Sequence, residues 1–502
     1  MRKFQKFQAD FLGLSGRDLC IIVFLYTLMH GGLLLLPHAV FWDDWTLYRE
    51  KPAVVVDSFR QAGAIFGWTG YLHVWLLGVG VWVYRVMTFV LYLLSGFLFN
   101  AILKRMSFFS YDIRFISLIF FLTLPFNMAR VALIDFPYAL CYFSFFLGWW
   151  FLGKNRLVAL VCFLFSFNTN SLLVFYALPF LEFMYRKGCL VFPKKWPNFL
   201  LRNFDFVLAP FLYFSAKLFF FPPYGHYESY NNHYSFRNLT HSFAAQVRDV
   251  FNFSVNVYVF LILLAILWVV LRERLKAVNK IESQDAKKII YIGVAAVLLG
   301  LIPYWVIRLT PTFFEWTSRH QLLMPLGTAM LLTGGLGRMR NAYIRRILLV
   351  VVIAASLSFG IEGYYSFVVD WGKQQSIMRQ FAKNEEIRKA DLVIIDDRSM
   401  DLNAIGRVYR FYEWNGILEN SYGNQTRFSV IPGDLGKYKS GGFDQYFDAG
   451  YKAENHHRKK NMKAVAVLIQ KSGRDSSGMY VFNQILPGVV VTTHPVDVND
   501  VN

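Results

Sequence analysis

Phe41-Trp42-Asp43-Asp44-Trp45-Thr46-Leu47-Tyr48-Arg49-Glu50 sets two adjacent carboxylates directly after an apolar run, Ile21 to Leu36. With its flanks, that run reaches the roughly 20 apolar residues that a bilayer crossing takes. The acidic pair therefore falls where a first membrane helix leaves the lipid. Aspartate is costly near that depth and is usually kept there for a function. The plain structural alternative is a pair of solvated helix caps at the membrane surface.

The rest of the chain extends this reading. Its 502 residues are 55% hydrophobic, and the apolar residues are gathered in long runs that a soluble protein of this size would not carry. About eleven runs read as membrane spans. The aromatic residues, 51 Phe, 28 Tyr and 13 Trp, suit interfacial belts and lipid-facing grooves. A net charge of +19 invites a nucleic-acid reading, but the basic residues fall in short loops on alternate sides of the spans. Roughly 24 Lys and Arg lie on one side and roughly 8 on the other, so the richer side is expected to be cytoplasmic. Cys20, Cys141, Cys162 and Cys189 show neither a disulfide framework nor metal-ligand spacing. The basic N-terminus and the long first run read as a retained signal anchor, because no small-residue cleavage site follows.

The first span, about Asp18 to Leu36, is expected to run outward. The outer loop then leads through Asp57-Ser58-Phe59-Arg60 into Ala62 to Val79, read as one helix lying in the interface. Arg85, near the outer end of the second span (Val81 to Leu103), is expected to snorkel to the surface. The third span breaks at Leu124-Pro125-Phe126-Asn127, and Met128 to Pro137 forms a second outer loop. Later come the seventh span (about Phe206 to Phe221), an outer segment from Pro222 to Asn256, an outer loop from Thr310 to Gln321, and an eleventh span from Ile347 to Val368. From Asp370 the long apolar runs stop. Asp391 to Asp397, Val465 to Leu468 and Val489 to Thr492 read as strands, and Met378 to Lys389 as a helix. The expected architecture is an all-α polytopic membrane protein over residues 1–368. A small C-terminal α/β domain, 369–502, is expected on the extracytoplasmic side.

Several residues can carry chemistry. Asp43 and Asp44 suit proton abstraction, and one of two adjacent carboxylates has its pKa raised by the other. A divalent cation, Mg or Mn, is the one cofactor this pair admits. Asp135 in the second outer loop is a further acid. Arg130 in the same loop suits a phosphate or Asp135 itself, or a plain loop salt bridge. Arg319 and His320 abut the start of an apolar helix, and arginine forks onto phosphate. Arg308, at the other end of their loop, and Lys217 either meet a lipid phosphate or snorkel. Glu315, His226, Glu228 and His233 are supporting candidates; the histidine spacing fits no standard metal motif, and a flexible loop, one that could serve as a lid over the acceptor, is the better reading. Asp396-Asp397 more simply end a strand, since no Gly-rich phosphate loop accompanies them.

An aromatic-aromatic-Asp-Asp motif just outside the first of about eleven spans resembles the GT-C superfamily of glycosyltransferases. That superfamily includes protein mannosyltransferases, lipid A aminoarabinose transferases and bacterial polysaccharide-modifying transferases. The resemblance covers the layout of roughly the first 370 residues. It implies an inverting transferase of the bacterial cytoplasmic membrane, with a polyprenyl-phosphate sugar as donor and a cell-surface glycan or glycolipid, such as lipopolysaccharide, as acceptor. It implies Asp43 as the base, Asp44 at the second acidic place, Asp135 in an acid or orienting role, and the late loop with Arg319 and His320 as the donor-phosphate site. Two other classes compete. An O-antigen polymerase or ligase carries a large arginine-bearing outer loop, but Pro222 to Asn256 holds only Arg237 and Arg248. A transporter or flippase favours mid-span charges and internal repeats.

Overall fold

The computed structural model describes residues 12–190, 192–228, 244, 255–277, 283–313, 315–424, 426–447, 451–453, 456–457, 462–472 and 488–496. His233, Arg237 and Arg248 lie outside the described residues. The chain is mostly helical, with one small mixed sheet near its C-terminus. Among the described residues four helices are long and apolar enough to cross a membrane, or five if a bent pair at Trp196–Phe220 counts as one. This marks a membrane protein.

The helices that position the site are α1 (Gly16–His30), α2 (Pro52–Gln61), α3 (Trp68–Val79), α4 (Val81–Leu103), α5 (Tyr111–Thr123), α6 (Phe136–Phe151), α7 (Phe204–Phe220), α8 (Ser283–Val306), α9 (Met324–Arg338), α10 (Ala342–Phe381) and α11 (Phe411–Tyr422). The expected helix from Ala62 to Val79 is shorter: it starts only at Trp68, as α3, after α2 has ended at Gln61. Gly63, Phe66 and Gly67 all take positive φ between them, which no continuous helix allows.

The eleventh run does not end at Val368. It continues as α10 to Phe381, because the polar residues that follow, Asp370, Lys373 and Gln374, are buried against the C-terminal region rather than wetted. The expected helix from Met378 to Lys389 is accordingly split. Its first residues finish α10, and Asn384 then caps a separate short helix, accepting from the amides of Glu386 and Ile387.

The sheet has the order β2-β1-β3-β4, with β1 (Leu392–Asp397), β2 (Phe428–Val430), β3 (Ala464–Lys471) and β4 (Val489–Val496). β1 runs parallel to both neighbours, and β4 is antiparallel to β3. A parallel central strand is covered on both faces, so it reads as a continuous apolar run. Leu392 and Ile394 pack with Phe428, Val430 and Tyr438. Val393 and Ile395 pack with Ile377 and Phe381 of α10 and Trp414 of α11. That second core also contains Val40 and Trp45, so the loop after the first membrane helix is built into the core of the C-terminal region.

Trp45 lies directly on the backbone of α11. A Cβ added at Gly416 would come within 2.6 Å of its ring. Gly416→Val is therefore expected to push Trp45 off the helix at a cost of about 1–3 kcal/mol. Thermal unfolding of the purified protein in detergent would show it as a lowered melting temperature, and an unchanged one would mean that this contact is not made.

Candidate functional site

Three loops meet at one end of the helices. The first loop joins α1 to α2, the second joins α5 to α6, and the late loop joins α8 to α9. Asp44 ties the first two together. Its side chain is fully buried and accepts hydrogen bonds from the amides of Leu133 (2.8 Å) and Ile134 (2.9 Å) in the second loop, and from Phe41 (3.3 Å) in its own. The second and late loops are joined by side chains of the late one. Gln321 Oε1 accepts from the Asn127 amide (3.2 Å) and Ser318 Oγ from the Ala129 amide (2.9 Å). Trp42 and Trp316 close the ring between first and late loops, with centroids 5.3 Å apart.

The C-terminal region holds the first loop from the far side. Glu413 Oε2 accepts from the Trp42 amide (3.1 Å) and pairs with Arg407, which also pairs with Asp370 of α10 (2.6 Å). All three charged side chains are fully buried, an arrangement that tolerates no missing partner. The Arg407 guanidinium lies over the rings of Phe41 and Trp42. Lys452, also buried, pairs with Glu50 at the end of the loop (2.9 Å) and with Glu419 of α11 (3.0 Å). Arg85 does not snorkel, contrary to expectation. It is 2% exposed and donates to the carbonyls of Leu36 (3.1 Å) and Ala39 (2.6 Å), which turn inward where the first helix ends and need a donor.

The three aspartates are brought together, in different environments. Asp44 spends both oxygens on backbone N–H groups. Burial pushes its carboxyl up to about 7, while the three amides and Arg85 pull it back. Those amides aim their positive ends at the carboxylate, which is the wrong polarity for a second ligand of a cation shared with Asp43. Asp44 is thus a clamp between loops rather than a metal ligand. Among the described residues no group of three or more His, Cys, Asp or Glu is placed to hold a metal.

Asp43 is half-buried and accepts a hydrogen bond from the Tyr412 hydroxyl, the first-turn tyrosine of α11. Asp135 is 4% exposed, and neither of its oxygens has a hydrogen-bond partner. Both residues occupy N-cap positions, Asp43 of a single helical turn and Asp135 of α6, yet neither side chain caps. The capping alternative therefore fails for Asp43. Burial holds the Asp135 carboxyl well above the usual carboxylate range. Arg319 opposes this, and Asp44 and Asp43 reinforce it.

Arg319 stacks on Trp316, 4.2 Å from its centroid, and its Nε donates to His320 Nε2 (3.3 Å). Burial and the neighbouring guanidinium push the His320 imidazole down to about 3. It is therefore neutral at physiological pH and brings no charge to a phosphate, unlike Arg319.

The other candidates are placed less centrally. Arg130 does not pair with Asp135. It donates to the carbonyls of Asn127 (2.9 Å) and Phe126 (2.5 Å), freed where the α5 helix stops at a proline, and lies over Tyr92. Glu315 takes a positive φ, and its amide donates to Ile405, tying the late loop to the C-terminal region. Arg308 is exposed at the end of α8, and Lys217 donates to Asn170 (2.9 Å). His226 lies 6.3 Å from Tyr446 and 6.4 Å from Tyr451, ring to ring, at the edge of the aromatic cluster that includes Tyr412. Glu228 is exposed just beyond it.

Comparison of the chain with family models, with characterised proteins and with solved structures gives no match. The site rests on its own geometry.

Asp44→Ala leaves the Leu133 and Ile134 amides without their acceptor. An unmade buried hydrogen bond costs about 1–3 kcal/mol, so this change is expected to destabilise more than Asp43→Ala, which removes one hydroxyl's partner. Melting curves of the two variants side by side test the order, and a more stable Asp44→Ala would refute the clamp.

Proposed function

We propose that this chain is a membrane glycosyltransferase of GT-C type, moving a sugar from a polyprenyl-phosphate donor to a cell-surface glycan or glycolipid. The observation that carries the reading is the convergence of loops far apart in sequence. They bring a half-buried carboxylate, a buried carboxyl without a partner and an arginine stacked on tryptophan to one end of a membrane helix bundle.

The chemistry is a single displacement. The acceptor hydroxyl gives its proton to the Asp43 carboxylate, and its oxygen bonds to the anomeric carbon. The bond from that carbon to the phosphate oxygen breaks, and polyprenyl phosphate leaves with the electron pair. Arg319 faces the charge that gathers on the phosphate. Attack opposite the leaving group inverts the anomeric centre. Tyr412 holds the Asp43 side chain in place, and Asp44 holds the loop that carries it.

The reading includes about eleven crossings, a cytoplasmic N-terminus and an extracytoplasmic C-terminal domain in the bacterial cytoplasmic membrane. Short helices such as α5 are compatible with it. The loop that follows α5 is almost wholly buried in protein, which is where irregular backbone is tolerated at membrane depth.

In proteoliposomes, Asp43→Asn is expected to lower turnover at least about a hundredfold with little change in donor affinity. Retained turnover would remove Asp43 as the base. The pH profile tests Asp135. Its carboxyl is held above the usual carboxylate range, so it ionises at a higher pH than an ordinary carboxylate. Ionised Asp135 adds a negative charge beside the departing phosphate, so the rate is expected to fall on the alkaline side. Asp135→Asn, neutral at every pH, is expected to remove that fall, and an identical profile in the variant would contradict the assignment.

A further inference from the structure

At this junction two buried side chains carry polar atoms with no hydrogen-bond partner in the protein. Asp135 offers two oxygens with no hydrogen-bond partner. His320, 7% exposed, has an unpartnered Nδ1. Its tautomer follows from its neighbour. A guanidinium can only donate, so Nε2 is the acceptor, and the neutral ring carries its proton on Nδ1. One side chain thus presents unfilled acceptors and the other an unfilled donor. Tyr304 lies between their environments. Its ring is 5.0 Å from His320, and it interacts electrostatically with both Arg319 and Asp135.

Leaving such groups unpaired costs about 1–3 kcal/mol each, so a native protein keeps them for something that pairs with them. What pairs with carboxyl oxygens and an imidazole N–H together is a group rich in hydroxyls. Charge restricts it further. Arg319 is the cation beside Asp135, and the donor phosphate takes it. A second anion bound there would be buried beside the Asp43 carboxylate without a counter-charge of its own, an unfavourable arrangement.

The geometry points to Asp135 and His320 as the subsite that holds the transferred sugar by its own hydroxyls, and to a sugar that carries no acid group. This inference rests on the proposed donor chemistry and adds to it the class of sugar and the residues that read it. Specificity of this kind is steep, because a ligand that fails to satisfy the site's buried groups leaves them unpaired again.

The test is the affinity of the full-length purified chain for a set of polyprenyl phosphates: bare, or bearing glucose, mannose, galactose, arabinose or glucuronic acid. Asp135→Leu is measured in parallel. At least one neutral glycosyl donor is expected to bind about tenfold more tightly than the bare lipid, and the glucuronyl donor about tenfold more weakly than that neutral one. Asp135→Leu is expected to erase the gain from the neutral sugar and yet to melt no lower than the wild type, since it removes two unpaired buried oxygens. Equal binding of glucuronyl and neutral donors, or a neutral-sugar gain that survives Asp135→Leu, would overturn the inference while leaving phosphate binding intact. Failure of every lipid, bare included, would overturn the donor reading as well.

Discussion

The structure depends on the Asp44 carboxylate. A charged group without exposure is tolerable only where several donors face it, and here three backbone amides from two loops do so. Leu133 and Ile134 open the single turn that leads into α6, where the first N–H groups have no intrahelical acceptor. One side chain therefore resolves two problems of membrane folding: where an irregular loop finds its hydrogen bonds, and how the loops after α1 and α5 are fixed to each other. Once Asp44 points inward, Asp43 is turned the other way, toward Tyr412.

The C-terminal region completes the frame rather than hanging from it. Its core takes in Val40 and Trp45, and its charged residues Arg407, Glu413 and Lys452 are spent, fully buried, on α10 and the first loop. Buried ion pairs give little net stability against well-packed apolar residues, but they admit only one arrangement of the elements they join. That rigidity suits a site assembled from loops, where an error of about 1 Å in placement costs catalysis heavily.

Much of this was legible in the sequence, and the limits have physical causes. The position of Phe41 to Glu50 marks the first loop because an apolar run is a strong signal and an acid at its end is conspicuous. β1, β3 and β4 were legible as short apolar runs. The different fates of Asp43 and Asp44 were not, since adjacent residues of a tight turn point to opposite sides and local pattern does not say which side is inside. Arg85 reads as a snorkelling residue because its partners are carbonyls, which leave no trace in side-chain identity. Tyr412 and Glu413 lie about 370 residues from the loop they hold, in a stretch whose mixed charged and aromatic composition looks like any surface. His320 reads as a cation until its burial beside Arg319 is known.

The most direct test is a structure of the chain in lipid with a polyprenyl-phosphate sugar bound. The phosphate is expected within hydrogen-bond reach of Arg319, with the sugar between Asp43 and Asp135 and its anomeric carbon open to a hydroxyl held by Asp43. A donor seated at the opposite end of the helices, or one whose phosphate avoids Arg319, would contradict that placement.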